Sequence, residues 1–240
     1  MQKLFVDFIP QGSFVIDGDS ARHIAKALRM RAGDALTLCC GNGKDYGCII
    51  DSIDGKTVTL SVQSEAKSDS EPSVRVSLYQ GVPKGDKFDD VVQKCTELGV
   101  SEITPVLTHR SVSRPDEKSA QKKRSRYRKI ALEAAQQSGR GIVPAVNTMT
   151  DLKNALKNDD SELKILFYEG GGESLKSIVR PDIKSVSVYI GPEGGFEKSE
   201  AELIKEYGGK IATLGKRILR TQTAPAAALT AIMLLTDNLE

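Results

Sequence analysis

Short stretches of alternating apolar and polar residues fill the first quarter of the chain, and a longer rhythm takes over near residue 70. In residues 1–63 the segments LFVDFI, LTLCC, YGCIID and TVTLSV have the period-two spacing of strands. Gly41-Asn42-Gly43 and Asp54-Gly55 supply hairpin turns between them. SARHIAKAL interrupts this pattern, placing Ile24, Ala27 and Leu28 on one helical face and Arg22, Lys26 and Arg29 mostly on the other. The spacing predicts a small β-barrel or sheet with one charged helix. SEAKSDSEPS, residues 64–73, is polar and acidic and holds no large apolar residue, so it reads as a linker. Two domains are expected, 1–70 and 71–240.

From Val74 strand and helix signals alternate. VRVSLYQ reads as a strand, and FDDVVQKCTELG then carries Phe88, Val91, Val92, Cys95 and Leu98 at helical spacing up to Gly99. ITPVLT is the next strand, and a long helix through Tyr127, Ile130, Ala131 and Ala134 ends at Gly139. LKILFY, VSVYI and KIATL follow as strands separated by polar helices. Such alternation implies an α/β domain whose parallel sheet is covered on both faces. The last helix has Pro225 near its first turn and Leu229, Ile232, Met233 and Thr236 along one stripe, which needs only a core to face.

At 240 residues the chain is long enough to bury a core without disulfides. With 39% hydrophobic and 28% charged residues it is neither disordered nor membrane-like in composition. Its most apolar stretch, Ala224 to Leu235, falls short of the roughly 20 residues that cross a bilayer. MQKLFVDFIPQG lacks the pattern of a signal peptide, so a cytoplasmic location without membrane partners is expected. Cys39, Cys40, Cys48 and Cys95 then read as thiols, with no CxxC pair. His23 and His109 have no second ligand at helical or hairpin spacing, and no metal site is expected.

Lys plus Arg at 34 against Asp plus Glu at 32 would not by itself suggest nucleic acid. The distribution changes that picture. KSAQKKRSRYRKI (118–130) carries seven basic side chains and no acid, and SARHIAKALRMR (20–31) carries four basic side chains and no acid. One such run would be equally consistent with a solvated helix face, and two weaken that reading; a basic patch on a near-neutral protein is what phosphate-backbone contacts require.

Ligands of open α/β sheets bind beyond the carboxyl ends of the strands. Three unusual loops lie there: Tyr168-Glu169-Gly170-Gly171-Gly172, Gly191-Pro192-Glu193-Gly194-Gly195-Phe196, and Gly215 to Ala224. Any one could be an ordinary turn, but three in succession argue for a pocket. No GxxxxGK[ST], GxGxxG or GxSxG is present, so a P-loop, a dinucleotide fingerprint and a serine nucleophile elbow are unsupported.

Four blocks, ELGVSEITPVLTHRSV (97–112), ALEAAQQSGR (131–140), IGPEGGF (190–196) and LGKRILRTQTAPAAAL (214–229), resemble the RsmE family of 16S rRNA uridine N3-methyltransferases in the SPOUT superfamily. HIAKALRMRAGD resembles that family's RNA-binding domain, so the likeness covers nearly the whole chain. It implies an N-terminal PUA-like β-barrel followed by a SPOUT α/β domain with a C-terminal trefoil knot. It also implies a homodimer that binds S-adenosyl-L-methionine in the knot loops and acts on 16S rRNA within the small ribosomal subunit. Physics alone would not propose a knot, since threaded chains are so rare.

The resemblance assigns Ile190, Gly191, Pro192, Glu193, Gly194, Gly195, Leu214, Gly215, Ile218 and Leu219 to the cofactor, with Glu169 and Gly170 lining the same pocket. Arg220 is the residue it places nearest the chemistry, and Gln136 and Arg140 are expected to hold the target nucleotide. A buried arginine could instead satisfy helix-end carbonyls or pair with an acid such as Glu193. RNA contacts are expected from Arg22, His23, Lys26, Arg29 and Arg31, from Arg110 and Arg114, and from Lys122, Lys123, Arg124, Arg126 and Arg128. Where the family typically reads LRTETA this chain has Gln222, a neutral amide. A non-catalytic RNA-binding or ribosome-assembly factor on the same fold is the alternative this departure keeps open.

Overall fold

The computed structural model describes residues 3–239. They form two compact units, one ending at Glu71 but also taking Ala135–Ile142, the other made of Pro72–Ala134 and the chain from Val143 onward.

The first unit holds a five-stranded sheet of β1 (Lys3–Phe5), β2 (Ser13–Ile16), β3 (Ala35–Cys39), β4 (Lys44–Ile53) and β5 (Val58–Lys67), in the order β1-β3-β4-β5-β2. Only β1 and β3 run parallel. The period-two reading is realised in β4, where Tyr46, Cys48 and Ile50 point into a core with Leu36, Leu38, Val58 and Leu60. Two strand boundaries differ from the pattern. LFVDFI pairs only through Phe5, leaving Phe8 and Ile9 exposed, while Ser13–Ile16 pairs with β5. β5 also runs to Lys67, into the segment read as linker, because Ser64–Lys67 pair with Lys44–Gly47 through backbone bonds that no side-chain pattern reveals.

The charged helix also differs. α1 (Gly18–Arg22) continues as a π-helical turn, His23–Ala27, closed by Leu28 N–H donating to the His23 carbonyl at 2.9 Å. This wider turn shifts the helical phase, so Ala21 and Ile24 are buried and Ala27, expected on the inner face, is exposed.

Within the same unit Arg140 is buried, with only 3% of its surface exposed. Its Nη2 and Nε donate to the Glu71 carboxylate at 2.6 and 3.3 Å, and the backbone N–H groups of Gly141 and Ile142 donate to Glu71 Oε1 at 2.9 and 3.0 Å. The guanidinium does pair with an acid, but with Glu71 rather than Glu193.

The second unit is an all-parallel sheet. Its strands are β6 (Arg75–Gly81), β7 (Glu102–Leu107), β8 (Ala145–Val146), β9 (Thr150–Asp151), β10 (Leu163–Phe167), β11 (Ser185–Ile190) and β12 (Lys210–Ala212). The order is β12-β10-β11-β6-β7-β8, with β9 also paired to β7. Pro105 in β7 brings no N–H, and β8 ends before it while β9 begins after it. Alternate residues of β11 face opposite cores. Val186, Val188 and Ile190 pack with α2 (Lys87–Glu97) and α7 (Thr223–Leu235). Tyr189 packs with α4 (Leu152–Asn158) and α6 (Lys198–Glu206).

Phe88, Val91, Val92 and Cys95 of α2 and Leu229, Ile232, Met233 and Thr236 in and after α7 are buried, as their spacing requires. The remaining helices are α3 (Glu117–Gln137) and α5 (Leu175–Ile178). Among the described residues no helix is long and apolar enough to cross a membrane.

Candidate active site

Chain connections leave the sheet in opposite directions on either side of the β6–β11 pair. β6 leads to β7, whereas β11 leads past β10 to β12. Divergence of this kind opens a crevice at the carboxyl ends of the strands. A cavity of about 780 Å³ lies there. Its walls are Phe167–Gly172 after β10, Ile190–Glu193 and Gly195 after β11, and Thr213–Thr221 with Ala224 between β12 and α7.

Twelve of the expected residues line it: Glu169, Gly170, Ile190, Gly191, Pro192, Glu193, Gly195, Leu214, Gly215, Ile218, Leu219 and Arg220. Gly194 is not on the wall. Its carbonyl instead accepts from Arg110 Nη1 at 2.6 Å, so Arg110, expected to meet RNA, straps the loop after β11. The same Nη1 lies 3.8 Å from Glu169 Oε1, which ties the loop after β10 to this strap.

Two of the glycines are required, Gly81 by close backbone approach and Gly195 by its left-handed conformation. A Cβ at Gly81 would lie 2.5 Å from Pro192 Cδ and 2.6 Å from Pro192 N. Gly195 takes φ +66° against the Glu169 carboxylate, where a Cβ would sit 2.2 Å from Oε2. Glycine and aliphatic positions, among them Gly170, Gly171, Gly172, Gly191, Gly195, Leu214 and Gly215, share the wall with the charged side chains of Glu169, Lys216, Arg217 and Arg220.

Glu193 is committed elsewhere. Its carboxylate accepts from Lys84 N–H at 3.1 and 3.3 Å and from Lys87 Nζ at 2.5 Å. Burial pushes its carboxyl up, but the Lys87 hydrogen bond and charge together with backbone N–H groups outweigh this and hold it below the usual carboxylate range. It is a fixed anion bracing the loop against the start of α2. Arg220 is exposed on the wall, and its carbonyl accepts from Thr223 N–H and Ala224 N–H at 2.8 and 2.9 Å, fixing its backbone to the first turn of α7. Gln222 stands at the N-cap of α7 without a side-chain capping bond.

The other expected residues are dispersed. Arg22, His23, Lys26, Arg29 and Arg31 are all exposed on or just after the helical excursion of the first unit, with Arg22 paired to Asp19. Gln136 is half-buried and belongs to the same unit as the Arg140–Glu71 pair. Arg114 Nη2 donates to the Thr108 carbonyl at 3.0 Å, Arg124 Nε donates to Val146, and Arg126 pairs with Asp86 and Asp89. Lys122 and Arg128 are exposed, and Lys123 is half-buried. Among the described residues no group of three or more His, Cys, Asp or Glu could hold a metal ion.

Sequence reasoning missed Gln80, Thr221 and Lys87. Gln80 and Thr221 are buried against the loop after β11, and Lys87 reaches it from α2. The available signal was a glutamine near the end of VRVSLYQG, in phase with the alternate apolar positions Val74, Val76 and Leu78.

The chain matches two family models, an RNA methyltransferase domain over residues 70–233 and an RNA methyltransferase PUA domain over residues 16–63. It is 36% identical over 252 aligned positions to the ribosomal RNA small subunit methyltransferase E of Bacillus subtilis, covering 100% of this chain and 98% of the relative. The protein of that name from Aquifex aeolicus is 31% identical, covering 80% and 82%. Among solved structures, ribosomal RNA small subunit methyltransferase E of Neisseria gonorrhoeae, bound to S-adenosyl methionine, is similar with a TM-score of 0.87 and 31% identity, covering 98% of both chains. With its parallel sheet spanned by the first model and β3, β4 and the start of β5 lying within the second, the chain belongs to the RNA methyltransferase family, in the branch whose relatives are named ribosomal RNA small subunit methyltransferase E.

Proposed function

We propose that this protein transfers a methyl group from S-adenosyl-L-methionine to N3 of a uridine in 16S rRNA of the small ribosomal subunit, as a cytoplasmic homodimer. The observation that carries the reading is the convergence of three glycine-rich loops on one cavity with Arg220 on its wall. Its volume, about 780 Å³, is in the range of small-molecule sites. Ile190, Leu214, Ile218 and Leu219 offer aliphatic surface to an adenine, and the backbone of Gly191–Glu193, Gly195 and Gly215 offers amides and carbonyls to its polar edges. Relatives of this name, and a similar structure bound to S-adenosyl methionine, support the same assignment.

The methyl donor supplies an activated methyl group for in-line displacement. The protein's part is to hold donor and acceptor aligned and to exclude water. Uracil N3 becomes nucleophilic only as its proton leaves to solvent water; negative charge then spreads to O2 and O4 until N3 takes the methyl and S-adenosylhomocysteine is released. The Arg220 guanidinium is assigned to stabilise that charge. It keeps its own proton and is not the base. Glu193, already bound to Lys87 and Lys84, orients the loop and takes no proton.

Arg22, His23, Lys26, Arg29 and Arg31, with Arg114, Lys122, Lys123 and Arg128, are assigned to RNA phosphates, which position the substrate without reading its sequence. Arg110 serves at the rim of the cavity. Arg140 is assigned to structure, since its guanidinium is spent on Glu71. The homodimer contact is placed on the C-terminal region, where Ile218 is 88% and Leu234 is 61% exposed. The trefoil knot of the SPOUT resemblance is part of this proposal.

The test is methyl incorporation from labelled S-adenosylmethionine into small subunits that lack the modification, with nucleoside analysis. Labelled 3-methyluridine is expected. Arg220→Ala should lower the rate by about 10²–10³ while leaving the fold intact. Cofactor and subunit binding without transfer would overturn the reading in favour of the RNA-binding or assembly factor that Gln222 suggests.

A further inference from the structure

We propose that Gln80 is a positioning residue whose side-chain amide locks two walls of the cavity, at Gly191 and Thr221, into one geometry. The inference rests on the reading that this cavity takes S-adenosylmethionine.

Gln80 is fully buried near the carboxyl end of β6, between Ile190 of β11 and Pro105 of β7 in register. It does not line the cavity; it lies beneath its floor. Its Nε2 faces three acceptors, the Gly81 carbonyl at 3.0 Å, the Gly191 carbonyl at 3.2 Å and Thr221 Oγ1 at 3.3 Å. The Thr221 hydroxyl in turn donates to the Gly191 carbonyl at 3.2 Å. Gly191 and Thr221 are 30 positions apart, and both are on the cavity wall. One side chain thus joins the loop after β11, the loop before α7 and the end of a central strand.

Packing does not account for a glutamine here. Its Oε1 is buried without a hydrogen-bond partner among the described residues, a desolvation cost that an aliphatic side chain of the same length would not carry. The amide cannot simply be turned over, because Oε1 would then face two carbonyl oxygens. What the amide adds is direction. Its N–H groups hold the Gly191 carbonyl and the Thr221 hydroxyl at fixed distances from β6, and Thr221 follows Arg220 directly in the chain. Any drift of the last loop relative to Gly191 would therefore change both the donor pocket and the position of the Arg220 guanidinium.

Full-length Gln80→Met, which keeps length and volume but offers no N–H, tests this by calorimetric titration with S-adenosylmethionine and by steady-state methyl transfer. About tenfold weaker cofactor binding is expected, as for the loss of hydrogen bonds to the two loops. KM for the cofactor should rise by a similar factor while KM for the ribosomal subunit stays within about twofold, a split that general destabilisation would not produce. Thr221→Val should show the same defect, and adding Gln80→Met to it should cost little more, since both break one network. If Gln80→Met does not fold, Thr221→Val alone must show the cofactor-specific defect.

Wild-type affinity in Gln80→Met, or two defects that simply multiply in the double variant, would overturn the proposal. Failure of the wild-type protein itself to bind S-adenosylmethionine would overturn the functional reading and this proposal together, and it is seen before any variant is made.

Discussion

Alanine at Gly81 is the smallest change that should disturb the cavity without touching its surface. The added methyl would lie 2.5 Å from Pro192 Cδ, 2.6 Å from Pro192 N and 2.9 Å from the Gly191 carbonyl carbon. Carbon atoms in contact prefer about 3.5–4.0 Å, so the Gly191–Pro192 backbone must retreat by about 1 Å. Overpacking of this kind costs about 1–3 kcal/mol. The retreat also stretches the bonds from Gln80 and Thr221 to the Gly191 carbonyl, now 3.2 Å each, worth about 0.5–1.5 kcal/mol apiece. A total near 2–6 kcal/mol corresponds to a Tm lowered by about 4–24 °C for a chain of this size. Differential scanning fluorimetry with and without S-adenosylmethionine reads both effects, because a ligand that binds only the folded state raises Tm by an amount that grows with the logarithm of its affinity. The variant should melt earlier and lose most of the ligand-induced rise. Wild-type Tm and a wild-type rise would mean that the loop does not rest on β6 as described.

Two further outcomes follow from charge. Glu193 has a lowered carboxyl pKa, so its bracing of the loop is complete above the ordinary carboxylate value and is lost as pH falls through the lowered one. Lys87→Met removes a cause of that lowering, so cofactor affinity measured against pH should begin to fail at a higher pH than in the wild type. The pair is partly exposed and worth about 1 kcal/mol at most, so affinity near pH 7 should change by less than about fivefold. Arg140→Ala breaks a buried pair and leaves the Glu71 carboxylate short of its two guanidinium bonds, so stability should fall by about 3–5 kcal/mol in urea titration. Unchanged stability with weakened RNA binding would instead return Arg140 to the role of holding the target nucleotide.

Much of the fold was legible in the sequence because it rests on local periodicity. Phe88, Val91, Val92 and Cys95 announce α2, and LKILF, VSVYI and KIATL announce β10, β11 and β12, because burial on one or both faces leaves a pattern in neighbouring residues. Where local spacing misleads, the cause is backbone geometry. A π-helical turn moved Ala27 to the surface, and backbone pairing carried β5 through polar residues to Lys67.

The candidate site divides the same way. Its loops stood out as glycine clusters, since close backbone approach demands small residues of any sequence. Partnerships between distant positions left no such trace: Gln80 with Gly191 and Thr221, Lys87 with Glu193, Arg110 with Gly194, and Arg140 with Glu71. The sequence by itself determined which segments are helix, strand and glycine-rich loop, because those depend on residues a few positions apart. Only the tertiary structure decided that Arg140 is buried on an acid and that Arg110 straps a loop, because the energy of a polar side chain depends on what the fold brings beside it.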